Sequence, residues 1–223
     1  ESPSEHFWIH YDTSGNNAPS DMTDQNTNGV PDYVEQAALA ADSARIVLTQ
    51  QMGYIYENDD EDGKYDIYIQ SLSSNLWGST QHESNGSTFI KIRNSYEGMS
   101  NRCSDSNQLL WLTIGHEFFH AIQFSYPYDA PPGESDSYFK ELTSMWFENI
   151  FVPECFDFLD FVDMSSSSLF NNPEEGFDQI QTGSYGYSLA LYGHYLSTII
   201  DNQEYDTQVN SLIIRKIWEE YSL

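Results

Sequence analysis

Basic side chains are scarce in this chain: Lys and Arg number 8 against 35 Asp and Glu, a formal charge of −27. A surface this acidic repels phosphate, which excludes nucleic acid as a partner and anionic lipid surfaces with it. Long apolar runs are missing too. No stretch approaches the roughly 20 apolar residues that a bilayer-spanning helix needs, so no membrane partner is expected. Cysteine is reduced to Cys103 and Cys155. Two are too few for a disulfide framework, and they form either one bridge in an oxidising compartment or two buried thiols, the bridge being the expectation. The chain opens at "ESPSEHFWIHY" with neither an initiator Met nor a signal peptide. That start is the pattern of a mature segment of a secreted, extracellular protein.

What is present is a chain of 223 residues, 39% hydrophobic and 15% aromatic. This is enough for one globular domain over residues 1–223, expected as a monomer, with a sheet-bearing half at 1–104 and a helical half at 105–223. The carboxylates read first as the solvated face of a secreted protein. They also favour cations, so divalent metals become plausible companions.

Along the chain, "HFWIHYD" reads as a strand, and the polar, turn-forming stretch after it leads into a helix over residues 31–52 that ends at Gly53. "YIYENDDEDGKYDIYIQSL" alternates apolar and polar residues about Asp62-Gly63, the pattern of a hairpin. "STFIKIRNSY" is a further strand. "SDSNQLLWLTIGHEFFHAIQF" is a helix closed before Pro127, and "SDSYFKELTSMWFENIF" is another, ended by Pro153. "FDFLDFVD" is a short helix, "SSSSLFNNPEEGF" a loop, and "GSYGYSLALYGHYLSTII" and "TQVNSLIIRKIWEEYSL" two closing helices. A small mixed sheet followed by helices argues α+β rather than an alternating parallel fold.

Within the first of these long helices, "GHEFFHAIQ" sets His116 and His120 one turn apart on one face, where both rings reach a common ion, with Glu117 alongside and turned toward a water on it. A zinc site of this kind needs a third protein ligand. Glu141, on the next helix, supplies it after a loop containing Pro127, Pro131, Pro132 and Gly133 turns the chain back. The rival reading is an aromatic helix whose histidines are satisfied in the core.

These residues resemble the gluzincin zinc metalloproteases, the group that includes thermolysin, in which an HExxH helix is followed by a helix carrying a glutamate ligand. "HEFFHAIQF" and "ELTSMWFE" are the specific parts. The chain is also similar to a group of secreted bacterial metalloproteases with an HEFFHAIQ-like helix, a glutamate shortly before a Trp, and a Tyr-Gly-containing helix near the end. The resemblance implies a zincin-like α+β fold, with His116, His120 and Glu141 as zinc ligands and Glu117 as general base toward a peptide or protein substrate. It also favours Tyr185, among Tyr185, Tyr187 and His194, as the donor facing the developing oxyanion. Thermolysin-like enzymes carry an acidic residue four positions after the ligand glutamate, but here Met145 stands there. Glu148 is therefore either an outer partner of a ligand histidine or a replacement for Glu141 as ligand.

Two acidic loops remain. "DQNTNGVPDYVE" has the spacing of an isolated, dockerin-like calcium loop, with Asp24, Asn26, Asn28, Val30 through its carbonyl, Asp32 and Glu35 as ligands. "NDDEDGKYD" offers Asn58, Asp60, Asp62 and Asp66, but Ile69 stands where the last glutamate belongs, and a hairpin turn explains it better. The expectation is a secreted zinc metallopeptidase stabilised by calcium. Its rivals are a calcium-stabilised binding or adhesion domain on an inactive zincin scaffold, and a zinc hydrolase of non-peptide bonds.

Overall fold

The computed structural model describes residues 1–58, 62–99, 102–127, 136–164, 166, 168–177 and 183–221. Strand β1 (Phe7–His10) is followed by helix α1 (Asp32–Arg45), then β2 (Tyr65–Gln70), β3 (Gly78–His82) and β4 (Thr88–Arg93). The second half is helical: α2 (Ser106–Ser125), α3 (Ser137–Phe151), α4 (Phe158–Met164), α5 (Gly183–Ser188), α6 (Ala190–Tyr195) and α7 (Ile213–Tyr221). The fold is α+β, as the order of sequence patterns implies.

The sheet runs β1-β2-β4-β3, with β1, β2 and β4 parallel and β3 antiparallel to β4. Strict alternation turns Phe7 and Ile9, Tyr65, Ile67 and Ile69, and Ile90 and Ile92 to one face, where all are buried. In register, Ile9 lies beside Ile67 and Ile67 beside Ile90, which forms a continuous apolar surface. Helix α1 packs on β1 and α2. Its buried Ala37, Ala38, Ala40, Ala41 and Ala44 add little bulk, which lets α2 approach closely. A π-helical turn (Ile46–Gln51) extends α1, and Gly53, at φ +76°, stops it, while Arg215 from α7 donates to the Met52 carbonyl at 3.0 Å.

The expected hairpin about Asp62-Gly63 does not form. Residues 54–58 carry no strand, and β2 has parallel neighbours on both sides. Side-chain contacts explain the difference: Glu57 pairs with Arg45 Nε at 2.7 Å and hydrogen-bonds His6 Nε2 at 3.0 Å, and the Asn58 amide donates to Ser125 Oγ at 2.8 Å. These contacts draw the segment onto the helices instead of alongside β2. The expected strand "STFIKIRNSY" is β4, and it lies inside the sheet. The free edge beside α2 belongs to β3, whose "GSTQH" lacks the apolar alternation of a half-buried strand.

Helix α2 is buried nearly all round, which carries its middle turns into the protein interior. The Asp105 carboxylate caps it by accepting from the Gln108 amide at 2.9 Å. It ends where Tyr126, extended at φ −76° and ψ 126°, precedes Pro127. Pro131, Pro132 and Gly133 lie outside the described residues. Cys103 and Cys155 form a disulfide that ties the segment before α2 to the one after α3. The first closing segment divides at Leu189 into α5 and α6, and the second into a 3₁₀ turn (Tyr205–Asn210) and α7.

Candidate metal centre

Helix α3 packs against α2 and faces Glu141 toward its two histidines. His116 Nε2 and His120 Nε2 are 2.9 Å apart, and Glu141 Oε2 lies 3.2 Å from the first and 3.5 Å from the second. A tetrahedral ion with bonds of about 2.0–2.1 Å sets its ligands about 3.3 Å apart, so the three spacings match a shared ion. Glu141 Oε2 is buried and completes no well-formed hydrogen bond, although both rings are close. A core pair would direct a donor at that oxygen. Here three ligand atoms face a common point instead, and these two histidines and one glutamate form the group suited to a metal ion among the described residues.

The remaining ring nitrogens are engaged. His116 Nδ1 meets Glu148 Oε1 at 2.5 Å, and His120 Nδ1 meets Gln123 Oε1 at 2.8 Å. Gln123 is itself held, since its Nε2 donates to the Lys140 carbonyl at 3.1 Å and to Thr143 Oγ1 at 3.0 Å. With Nδ1–H donated, each Nε2 lone pair is left for an ion. Glu148 is thus the outer partner of His116, and Glu141 faces the shared point.

Electrostatics register the same arrangement. Burial works against a charged His116 ring, but the carboxylates of Glu141 and Glu148 beside it outweigh that and raise the pKa well above its usual value. Burial also opposes ionisation of Glu141, yet the two imidazoles beside it, His120 first, hold it well below the carboxylate range. Burial, aided by the charge of Asp157, pushes Glu148 up to about 8. Burial pushes Asp157 to about 6, against the pull of His116. In the absence of a cation, this cluster balances its charges with protons.

Glu117 lies in the wall of two adjoining cavities, of about 250 and 390 Å³, that also share Leu76, Gly78, His116 and Tyr187. Its carboxylate is held from the sheet edge, where Thr80 Oγ1 lies 2.9 Å from Glu117 Oε2 and 2.7 Å from the Glu117 carbonyl oxygen. A Cβ at Gly78 would stand 2.7 Å from Glu117 Cγ, so only glycine lets β3 come this near. Gly186 does the same for α5, since a Cβ there would meet Glu141 Cβ at 2.7 Å. That close approach carries Tyr187 to the site, with its ring 6.1 Å from that of His116. Burial first, and the nearby charge of Glu141 second, raise the Tyr187 pKa, which keeps its hydroxyl a donor.

The other residues singled out in the sequence fall as follows. Tyr185 is fully buried, its hydroxyl 3.5 Å from the Glu175 carbonyl oxygen, and lines neither cavity. His194 is held in α6 by Gln208 Oε1 at 2.8 Å, away from both cavities as well. In the first acidic loop, the Asn26 amide donates to Glu35 Oε2 at 3.0 Å and the Asn28 amide to Glu35 Oε1 at 2.6 Å. Asp24 Oδ2 accepts from the Gly29 amide at 2.8 Å, with Gly29 at φ +91°, and Asp32 Oδ1 accepts from the Gln25 amide at 3.1 Å. The Val30 amide donates to Asn28 Oδ1 at 2.8 Å. Asp24, Asn26, Asn28 and Glu35 are thereby drawn together on an exposed turn.

The second loop is dispersed. The Asn58 side chain donates to the Gly86 carbonyl at 3.4 Å, Asp62 accepts from the Lys64 amide at 2.9 Å, and Asp66, on β2, pairs with His10 at 2.7 Å. Asp60 lies outside the described residues. The sequence reading missed Gln123, which sits three residues after His120 and was accessible from helical periodicity. It also missed Thr80, Gly78 and Asp157, which no local pattern marks. Compared with known proteins, the chain matches no family model, no curated protein and no solved structure.

Proposed function

We propose that this chain is a secreted zinc-dependent metallopeptidase of gluzincin type acting on a peptide or protein substrate. The observation that carries the reading is the convergence of His116 Nε2, His120 Nε2 and Glu141 Oε2 on one point, with the Glu117 carboxylate in the adjoining cavity wall. Two neutral imidazoles and one carboxylate suit zinc, which when bound supplies Lewis acidity and an acidified water at neutral pH. Glu117 takes the proton of the attacking water and delivers it to the leaving amine. Thr80 holds that carboxylate in place during both transfers. Tyr187 replaces Tyr185 as the donor to the oxygen that becomes negative, because Tyr187 lines both cavities.

The free edge of β3 favours a peptide over other acyl compounds. Gly78 of this edge strand borders both cavities. An extended substrate pairing with β3 would lay its scissile bond between them. Secretion is supported by the disulfide Cys103–Cys155; no helix among the described residues is long and apolar enough to cross a membrane. We assign calcium to the first acidic loop, on its ligand spacing.

The test is hydrolysis of casein by the zinc-loaded protein beside Glu117→Gln. The expected result is cleavage that a zinc chelator abolishes and that the variant loses by roughly 10²–10⁴-fold while keeping its metal. Stoichiometric zinc with no cleavage of any peptide would sink the reading in favour of a binding domain. Turnover confined to esters would indicate a hydrolase of non-peptide bonds.

A further inference from the structure

We propose that the 250 Å³ cavity beside Glu117 is a specificity pocket for a long cationic side chain, lysine or arginine, whose charged head is received by Asp157. The use of this pocket in substrate selection rests on the peptidase reading; its affinity for such a side chain does not.

The cavity has two kinds of wall. Leu76, Leu112, Met145 and Phe161 supply apolar surface from four different elements or loops. Glu148 and Asp157 supply two carboxyl groups, and both residues are only 4% exposed. Among the described residues, no lysine or arginine lines the cavity. Glu148 Oε2 is buried with no hydrogen-bond partner, although Oε1 is engaged by His116. Glu148 and Asp157 also lie beside each other, and two carboxyls sharing one site favour a cation next to them. An apolar pocket built for leucine or phenylalanine has no use for such a pair.

Position fits a side-chain pocket. Glu148 contacts the Nδ1 edge of His116, whereas His120 and Glu141 face the Nε2 edge. The carboxyls are therefore set back from the metal cluster behind His116, while the cavity reaches Glu117 and Tyr187 at the reacting end. A residue next to the scissile bond can lay an aliphatic stem along Leu112 and Met145 and bring a terminal charge to Asp157, the way long basic side chains combine apolar stems with charged heads. The volume admits one large side chain rather than a multi-ring ligand. The net charge of −27 concentrates cationic chains around the whole molecule and acts in the same direction.

The experiment compares binding of lysine amide and norleucine amide to the zinc-loaded protein by calorimetry, in wild type and Asp157→Asn. The two ligands share the α-ammonium and the stem and differ in the terminal charge. Lysine amide should bind at least tenfold more tightly to the wild type, and Asp157→Asn should bring the two within about twofold. Norleucine amide binding equally well or better in the wild type overturns the proposal, as does failure of both to bind; this wild-type comparison decides even if the variant does not fold. A preference unchanged in Asp157→Asn also overturns it, as does a second zinc per chain that this variant loses. Peptides with Lys, Arg, Leu or Glu beside the scissile bond then separate the two claims. Tight lysine amide binding without cleavage of any of them retains the pocket and removes the peptidase reading.

Discussion

The metal cluster between α2 and α3 and the acidic loop at residues 24–35 both gather ligand atoms, but they are built in opposite ways. His116, His120 and Glu141 sit in or at the edge of the core, and the outer nitrogens are locked by Glu148 and Gln123, which leaves Glu141 Oε2 without a satisfied bond. Asp24, Asn26, Asn28 and Glu35 lie at the surface and satisfy one another, amide to carboxylate. Burial accounts for the contrast. In the interior an unpaired charge costs several kcal/mol, so the triad must hold a cation or protons. At the surface water screens the same charges, and the loop closes on itself without help. The cluster therefore needs a cation or protons to balance it, whereas the loop holds its shape through its own hydrogen bonds.

Removing an outer partner of the cluster should have the largest effect. Glu148→Ala should lower metal affinity by roughly 10–100-fold, measured by competition with a chromophoric chelator, because His116 loses the acceptor that orients it. An unchanged affinity would show that the ring is held by packing alone.

The pH dependence of the metal-free protein comes next. His116, Glu148 and Asp157 bind their protons more tightly folded than unfolded. The stability this linkage provides is present at low pH and is lost as pH rises through the folded values, about 6 for Asp157 and about 8 for Glu148. The melting temperature of the metal-free chain should therefore fall between pH 6 and pH 9, and zinc should flatten the curve, since the ion replaces protons at the rings. A metal-free curve that rises over this interval would contradict the account of the cluster.

The smallest effect belongs to the loop. Calcium should raise the melting temperature by a few degrees when present well above its Kd, and Glu35→Gln should reduce that gain. A calcium effect larger than that of zinc would reverse the comparison and make the loop the principal metal site.

Helical periodicity makes much of the cluster readable in the sequence. His116, Glu117 and His120 stand on one short stretch, and the helix alone decides that the two rings share a face. The closing tyrosines were not readable in this way. Tyr185 and Tyr187 are two residues apart, so a helix turns them to nearly opposite sides, and nothing local says which side meets the metal ligands. Gly186 decides it, by letting α5 press against Glu141. The hairpin signal at Asp62-Gly63 is a similar case: a turn-forming dipeptide was overruled by the contacts of Glu57 with Arg45 and His6.

The α+β order, the absence of a strongly apolar spanning helix and the spacing of the two histidines were legible in the residues alone, because these depend on composition and on contacts within a few residues. Packing settled the rest: β3 lies at the open edge and holds Glu117 through Thr80, Glu148 stands behind His116, and Asp157 lines the cavity beyond. Those pairings join residues far apart in the chain, and whether such residues meet depends on how whole elements pack.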